Sequence, residues 1–162
     1  TIAGEGESRL GLEGMTKELG LQDFVKFVGR VSEKTKAELL ARSWVVAQPS
    51  KIEGWGITVI EANACGTPVV ASDVPGLRDS VKNPHTGLLV TWDNKGKWVE
   101  AITKILSDKT LRNSLGQQAK QWANQFTWEK SSEQLVDVLA KEFKAKSYNT
   151  YKQLSVKSSI ND

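Results

Sequence analysis

The chain has 162 residues, 39% of them hydrophobic and 25% charged, which is enough for one domain with a real core. Its formal net charge of +3 is too small and too dispersed to argue for a nucleic-acid partner. No apolar run reaches the length of a membrane span, no signal-peptide pattern opens the chain, and a single cysteine, Cys65, excludes an internal disulfide framework; this set fits a cytoplasmic protein.

Taken in chain order, strands and helices alternate. Thr1 to Ala3 reads as the end of a short strand, followed by the loop Gly4-Glu5-Gly6-Glu7-Ser8. Residues 9–19 have helical character, weakened by Gly11 and Gly14. Phe24-Val25-Lys26-Phe27-Val28 reads as a strand closed by Gly29. A helix runs to Arg42 from either Ser32 or Thr35, because Thr35 and Glu38 also have capping-box spacing. Trp44-Val45-Val46-Ala47 is a continuous apolar run, as expected of a strand buried on both faces. Thr58 to Cys65 reads as a helix stopped by Gly66 and Pro68.

Pro68-Val69-Val70-Ala71 and Gly87-Leu88-Leu89-Val90 are the next strands. Helices follow over about 96–107, 110–124 and 128–146, the third capped by Thr127. Residues 147–162 read as a polar tail after a domain spanning 1–146. The alternation predicts an α/β fold, a Rossmann-like doubly wound parallel sheet.

The chemistry concentrates in Glu53-Gly54-Trp55-Gly56-Ile57-Thr58-Val59-Ile60-Glu61, which follows a strand and opens a helix. In parallel α/β sheets, ligands bind at the carboxyl ends of strands, in loops like this one. Two glycines let the backbone approach a ligand and take strained angles. The amides of Gly56, Ile57 and Thr58 then point outward at a helix N-terminus, a site suited to phosphate. Glu61, about a turn further on, is placed to accept from a vicinal diol such as ribose, and Glu53 from another polyol. A phosphate cradle between two acceptor-only groups has the layout of a diphosphate between two sugars. The bland alternative is an ordinary strand-to-helix turn with Glu61 as a solvated surface residue.

The same segment resembles the Glu-x7-Glu motif of the group 1 (family 4) retaining glycosyltransferases of the two-Rossmann-domain (GT-B) type. It is similar to E-G-[FW]-G-x-x-x-x-E-A-x-A-x-G-x-P-V-[VI]-A at nearly every fixed position from Glu53 to Ala71. The resemblance extends to Val25-Lys26-Phe27-Val28-Gly29-Arg30-Val31, Asp73-Val74-Pro75-Gly76-Leu77-Arg78-Asp79, Thr86-Gly87-Leu88-Leu89-Val90 and Phe126-Thr127-Trp128-Glu129. It implies that Glu53 contacts the transferred sugar and Glu61 holds the ribose. It also implies that the Gly54-Trp55-Gly56-Ile57-Thr58 loop holds the diphosphate through its amides, and that Arg30 and Val31 lie beside the base. No metal and no cofactor are implied, the nucleotide diphosphate sugar being the donor substrate. The family's acceptor-binding N-terminal domain, and an Arg and a Lys that clamp the diphosphate, stand before the region where this chain starts. Same-architecture epimerases and a non-catalytic nucleotide-sugar-binding module are the alternatives.

Other residues read as structural. His85 sits in the turn Asn83-Pro84-His85-Thr86-Gly87, Cys65 reads as a small buried helix residue, and Trp98, Trp122 and Trp128 as packing residues. The C-terminal lysines read as a solvated face, with weak attraction to anionic lipid headgroups as the second reading. Finally, five strands against the six of the order 3-2-1-4-5-6 place 1–3 as strand two and 44–47 as strand four. That predicts a central strand one lying upstream and an incomplete folding unit; the alternative is direct pairing of 1–3 with 44–47.

Overall fold

A computed structural model describes the backbone of residues 1–158 and the side chains through Lys144. In chain order the elements are β1 (Ile2–Ala3), α1 (Arg9–Glu18), β2 (Phe27–Gly29), α2 (Glu33–Arg42), β3 (Val46–Gln48) and α3 (Ile57–Ala64). They continue as β4 (Val69–Ser72), α4 (Pro75–Ser80), β5 (Gly87–Val90), α5 (Lys95–Ser107), α6 (Lys109–Ala123) and α7 (Trp128–Ser158). All strand pairs are parallel, as the Rossmann-like reading requires.

The strands form two sheets, β1-β2 and β3-β4-β5. β1 pairs with β2 and β3 pairs with β4, and among the described residues β1 and β3 do not pair with each other. Direct closure of 1–3 onto 44–47 is therefore not what forms.

The core surrounds β4, whose four residues are all buried. Side chains alternate across a strand. Val69 and Ala71 thus join one apolar cluster with Leu40, Val59, Ala62, Leu77 and Val81, from α2, α3 and α4. Val70 joins another with Val90, Ala101, Ile105 and Leu115, from β5, α5 and α6. Helices thus cover both faces of this sheet, and each fully buried valine contributes about 1.5–3 kcal/mol.

Several expectations are corrected. β2 begins at Phe27, because the Phe24 and Val25 amides both bond to the Leu21 carbonyl in a turn. β3 is only half-buried and excludes Trp44, which is 61% exposed, because β3 is the edge of its sheet. The start of α2 is settled by Ser32, whose hydroxyl accepts from the Thr35 amide at 3.2 Å. Cys65 is a half-buried C-cap of α3.

α4, read from sequence as loop, begins with Pro75 at its first position, where the missing N–H costs nothing. The chain divides into a first unit, Thr1–Ala123, and a second beginning at Asn124. Within the second, α7 continues past the expected end at 146 to Ser158, and Trp128, at its first position, is 90% exposed rather than packed. Residues 159–162, the end of the expected tail, lie outside the described residues.

Candidate functional site

β3 delivers the chain to Gly56, the N-cap of α3, which sits in the left-handed region at φ 83°. A Cβ there would stand 2.7 Å from Leu77 Cδ2 and 3.1 Å from Ser80 Oγ, so both backbone angle and space demand glycine. Gly54 differs from the sequence reading: no positive φ and no neighbour within 4 Å of its would-be Cβ make it necessary. Its role is backbone approach. A Cβ on Gly76, in the first turn of α4, would lie 2.5 Å from the Gly54 carbonyl oxygen and closer still to that of Glu53. Gly76 therefore lets α4 seat directly on the Glu53-Gly54 peptide.

The first helical bonds of α3 run from Val59 N (2.9 Å) and Ile60 N (3.4 Å) to the Gly56 carbonyl. Among the described residues, the amides of Gly56, Ile57 and Thr58 have no acceptor within the chain. Ile57 and Thr58 are exposed. Three donors with the positive end of a helix dipole behind them are suited to receive an anion.

Two carboxylates flank these donors along the chain. Glu53 is half-buried, and its Oε2 lies 3.4 Å from both Gln48 Nε2 and Ser50 Oγ. These contacts are long, so the carboxylate keeps most of its accepting capacity. Glu61, one turn into α3, accepts from Lys36 Nζ at 2.7 Å. Lys36 also lies 2.7 Å from Glu33 Oε2, and the two carboxylates, Glu33 foremost, raise the pKa of its ammonium.

Arg30, exposed, and Val31, half-buried, stand just beyond the carboxyl end of β2. They follow Gly29, whose φ of 65° and close neighbour Glu5 fix the turn. The structure thus brings Glu53, the three amides and Glu61 together on one strand-to-helix connection, while Arg30 and Val31 belong to the other sheet. α2 links the two, because it starts directly after Val31 and carries Lys36 onto Glu61. Trp55 is half-buried in the loop.

Sequence reasoning missed Lys36, Gln48, Ser50 and Gly76. Gln48 was discoverable as the last residue of a parallel strand. Lys36 carried no signal, being 25 positions from its partner. The loop is further held at Trp92, whose Nε1 donates to the Pro49 carbonyl at 3.2 Å while Lys51 Nζ lies 5.1 Å from its ring. Among the described residues, no three His, Cys, Asp or Glu side chains gather as a metal site. No described helix is long and apolar enough to cross a membrane. A cleft of about 580 Å³ opens at the other ends of β3 and β4, between Trp44, Pro68, Lys109 and Lys120, and shares no residue with this group.

Residues 1–122 match the family described as glycosyl transferases group 1. This chain belongs to the group 1 glycosyltransferases. Its fold is that of the C-terminal domain of their GT-B architecture. The D-inositol 3-phosphate glycosyltransferase of Jonesia denitrificans is 37% identical over 131 residues, covering 81% of this chain and 31% of that protein. The sucrose-phosphate synthase of Thermosynechococcus elongatus superposes with a TM-score of 0.78 at 35% identity, over 86% of this chain and 35% of that one. The Anabaena protein HepE, solved with UDP and glucose, superposes with a TM-score of 0.79 at 25% identity, over 86% of this chain and 39% of that one. The chain thus spans about a third of the length of the relatives it matches.

Proposed function

We propose that this chain is the donor-binding part of an enzyme that transfers a hexose from a nucleoside diphosphate sugar to an acceptor, with retention of configuration. Three unpartnered amides between two carboxylates, in a chain of this family, carry the assignment. HepE was solved with UDP and glucose together, a ligand set of the same layout. The Gly56, Ile57 and Thr58 amides, in the loop with Gly54 and Trp55, receive the diphosphate. Glu61 accepts from the ribose diol, Arg30 and Val31 flank the base, and Glu53 contacts the transferred sugar.

The chemistry is mainly electrostatic. As the glycosidic bond breaks, negative charge grows on the departing diphosphate, where fixed amides and a helix N-terminus stabilise it without reorganisation. Positive charge grows on the sugar, where the half-buried Glu53 is the nearest anion on this loop. Neutralisation by amides and cations needs no metal ion. The acceptor is held by an N-terminal domain of the parent protein, which works in the cytoplasm, with lipid-borne acceptors as a route to the membrane surface.

A thermal-shift panel tests this. A ligand that binds only the folded state raises the melting temperature. Nucleoside diphosphate sugars are expected to raise it, and free hexoses not. No shift with any uridine, guanosine or adenosine diphosphate sugar overturns the proposal.

A further inference from the structure

We propose that Lys36 is a positioning residue for Glu61, holding its carboxylate in the orientation that accepts the ribose diol. The inference rests on the donor-binding role just proposed for Glu61, and it adds a residue outside the motif. Among the described residues the Glu61 carboxylate has no hydrogen-bond partner but Lys36, whose Nζ donates to Oε1 at 2.7 Å. Both side chains are 30% exposed, so the pair is only partly screened by solvent. A carboxylate offers about four acceptor positions. Lys36 takes one on Oε1 and leaves Oε2 whole, the geometry needed to receive two hydroxyls.

Without that contact no described residue hydrogen-bonds the Glu61 carboxylate to fix its rotamer, and a ligand must then order the side chain as it binds. Lys36 is itself held in place. It sits in the first turn of α2, where its amide bonds to the Ser32 carbonyl at 2.8 Å and Ser32 caps the helix. Its other partner, Glu33, has a side chain 86% exposed, so solvent weakens that pull. Lys36 also offsets the charge of Glu61, which otherwise repels an incoming diphosphate. Positioning and charge relief make different predictions. Charge relief acts on any anionic ligand, whereas positioning acts only on one that carries the diol.

Calorimetric titration separates them. The probes are the tightest binder among uridine, guanosine and adenosine diphosphate and its 2′,3′-dideoxy counterpart. Lys36→Met is expected to weaken the ribonucleotide about fivefold or more and the dideoxy ligand less than about twofold, a coupling between side chain and diol. Lys36→Arg, which keeps a cation in reach, is expected to recover most of the loss, and Glu33→Gln to leave both affinities within about twofold. Lys36→Gln is the second variant should Lys36→Met not fold. Equal losses for both ligands, no loss, or tighter ribonucleotide binding each overturn the inference. If Glu61→Ala weakens the ribonucleotide while Lys36→Met does not, this inference falls and the donor-site proposal stands. If Glu61→Ala has no effect, or wild type binds none of the three nucleotides, the ribose role of Glu61 falls and takes the inference with it.

Discussion

Gly56 and Leu77 fix each other: a Cβ on the residue that opens α3 would stand 2.7 Å from the Cδ2 of a fully buried leucine in α4. Gly56→Ala therefore meets both a positive φ and a collision. A loss of about 1–3 kcal/mol is expected, read as a lower midpoint in urea unfolding. Gly54→Ala, two residues away but in open space, is expected to stay within about 0.5 kcal/mol. Similar midpoints for the two variants would show that the α3 entry relaxes freely.

On the proposed ribose role, Glu61→Ala removes charge-assisted hydrogen bonds to the diol. Affinity for a bare nucleoside diphosphate is expected to fall by about 1.5–3 kcal/mol, roughly ten- to a hundredfold. Calorimetry on wild type and variant checks this, and unchanged affinity would take Glu61 out of the ribose role.

Glu53→Gln separates sugar from nucleotide. It keeps the shape of the side chain and the long contacts to Gln48 and Ser50, but not the charge. Bare-nucleotide affinity is expected to hold while kcat of the parent enzyme falls by about a hundredfold or more. A kcat near wild type would leave Glu53 a structural residue.

Amide exchange reads the divided sheet. In β3, Val46 N bonds to the Pro68 carbonyl, on the β4 side. The hydrogen-bonding direction alternates along a parallel strand, so the Ala47 N–H points to the open edge. Ala3 stands likewise in β1, since the Ile2 amide bonds to Lys26 on the β2 side. Ala47 and Ala3 are expected to exchange fast and Val46 slowly. Slow exchange at Ala47 and Ala3 would mean that the two edges find partners in solution.

The Glu129 carboxyl titrates below its ordinary value of 4.5, held down first by its own backbone amide and then by the Thr127 hydroxyl. A depressed pKa of this kind supports α7 above the ordinary value, and the support is lost as pH falls through the lowered one. NMR titration is expected to place the Glu129 midpoint below 4.5, with Thr127→Ala moving it upward. A midpoint that ignores Thr127 would leave the cap without electrostatic effect.

What the residues disclosed in advance follows the range of the forces involved. Val69-Val70-Ala71 announces a buried strand because its own apolar run requires two covered faces, and Gly56 announces a left-handed entry because few other residues take one. Ser32 and Thr35 were equivalent as text, and one 3.2 Å hydrogen bond decides between them. α4 has no side-chain cap and only six residues. It is held by contacts made elsewhere, through Gly76 on the Glu53-Gly54 peptide and Leu77 in the core, which no local pattern reports. Trp44 and Val45 read as a strand doubly buried, yet whether a strand lies central or at an edge is a property of its neighbours. The acidic half of the candidate site was legible because it lies on one continuous segment. Its cation, Lys36, was not, because only the packing of α2 on α3 brings it there.

Neither apolar cluster draws on any residue earlier than Leu40, and α1 buries none of its side chains. Among the described residues the β1-α1-β2 segment is therefore the least stable part of this unit, free to open locally while the loop that opens α3 stays anchored to β4. Arg30 and Val31 stand at the end of that softer segment. With Arg30 and Val31 flanking the base as proposed, recognition of the base is in this sense a detachable module. On those proposed roles, substitutions that retune which nucleotide is chosen fall where they cost the core little, and one base can be exchanged for another without rebuilding the loop proposed to hold the diphosphate.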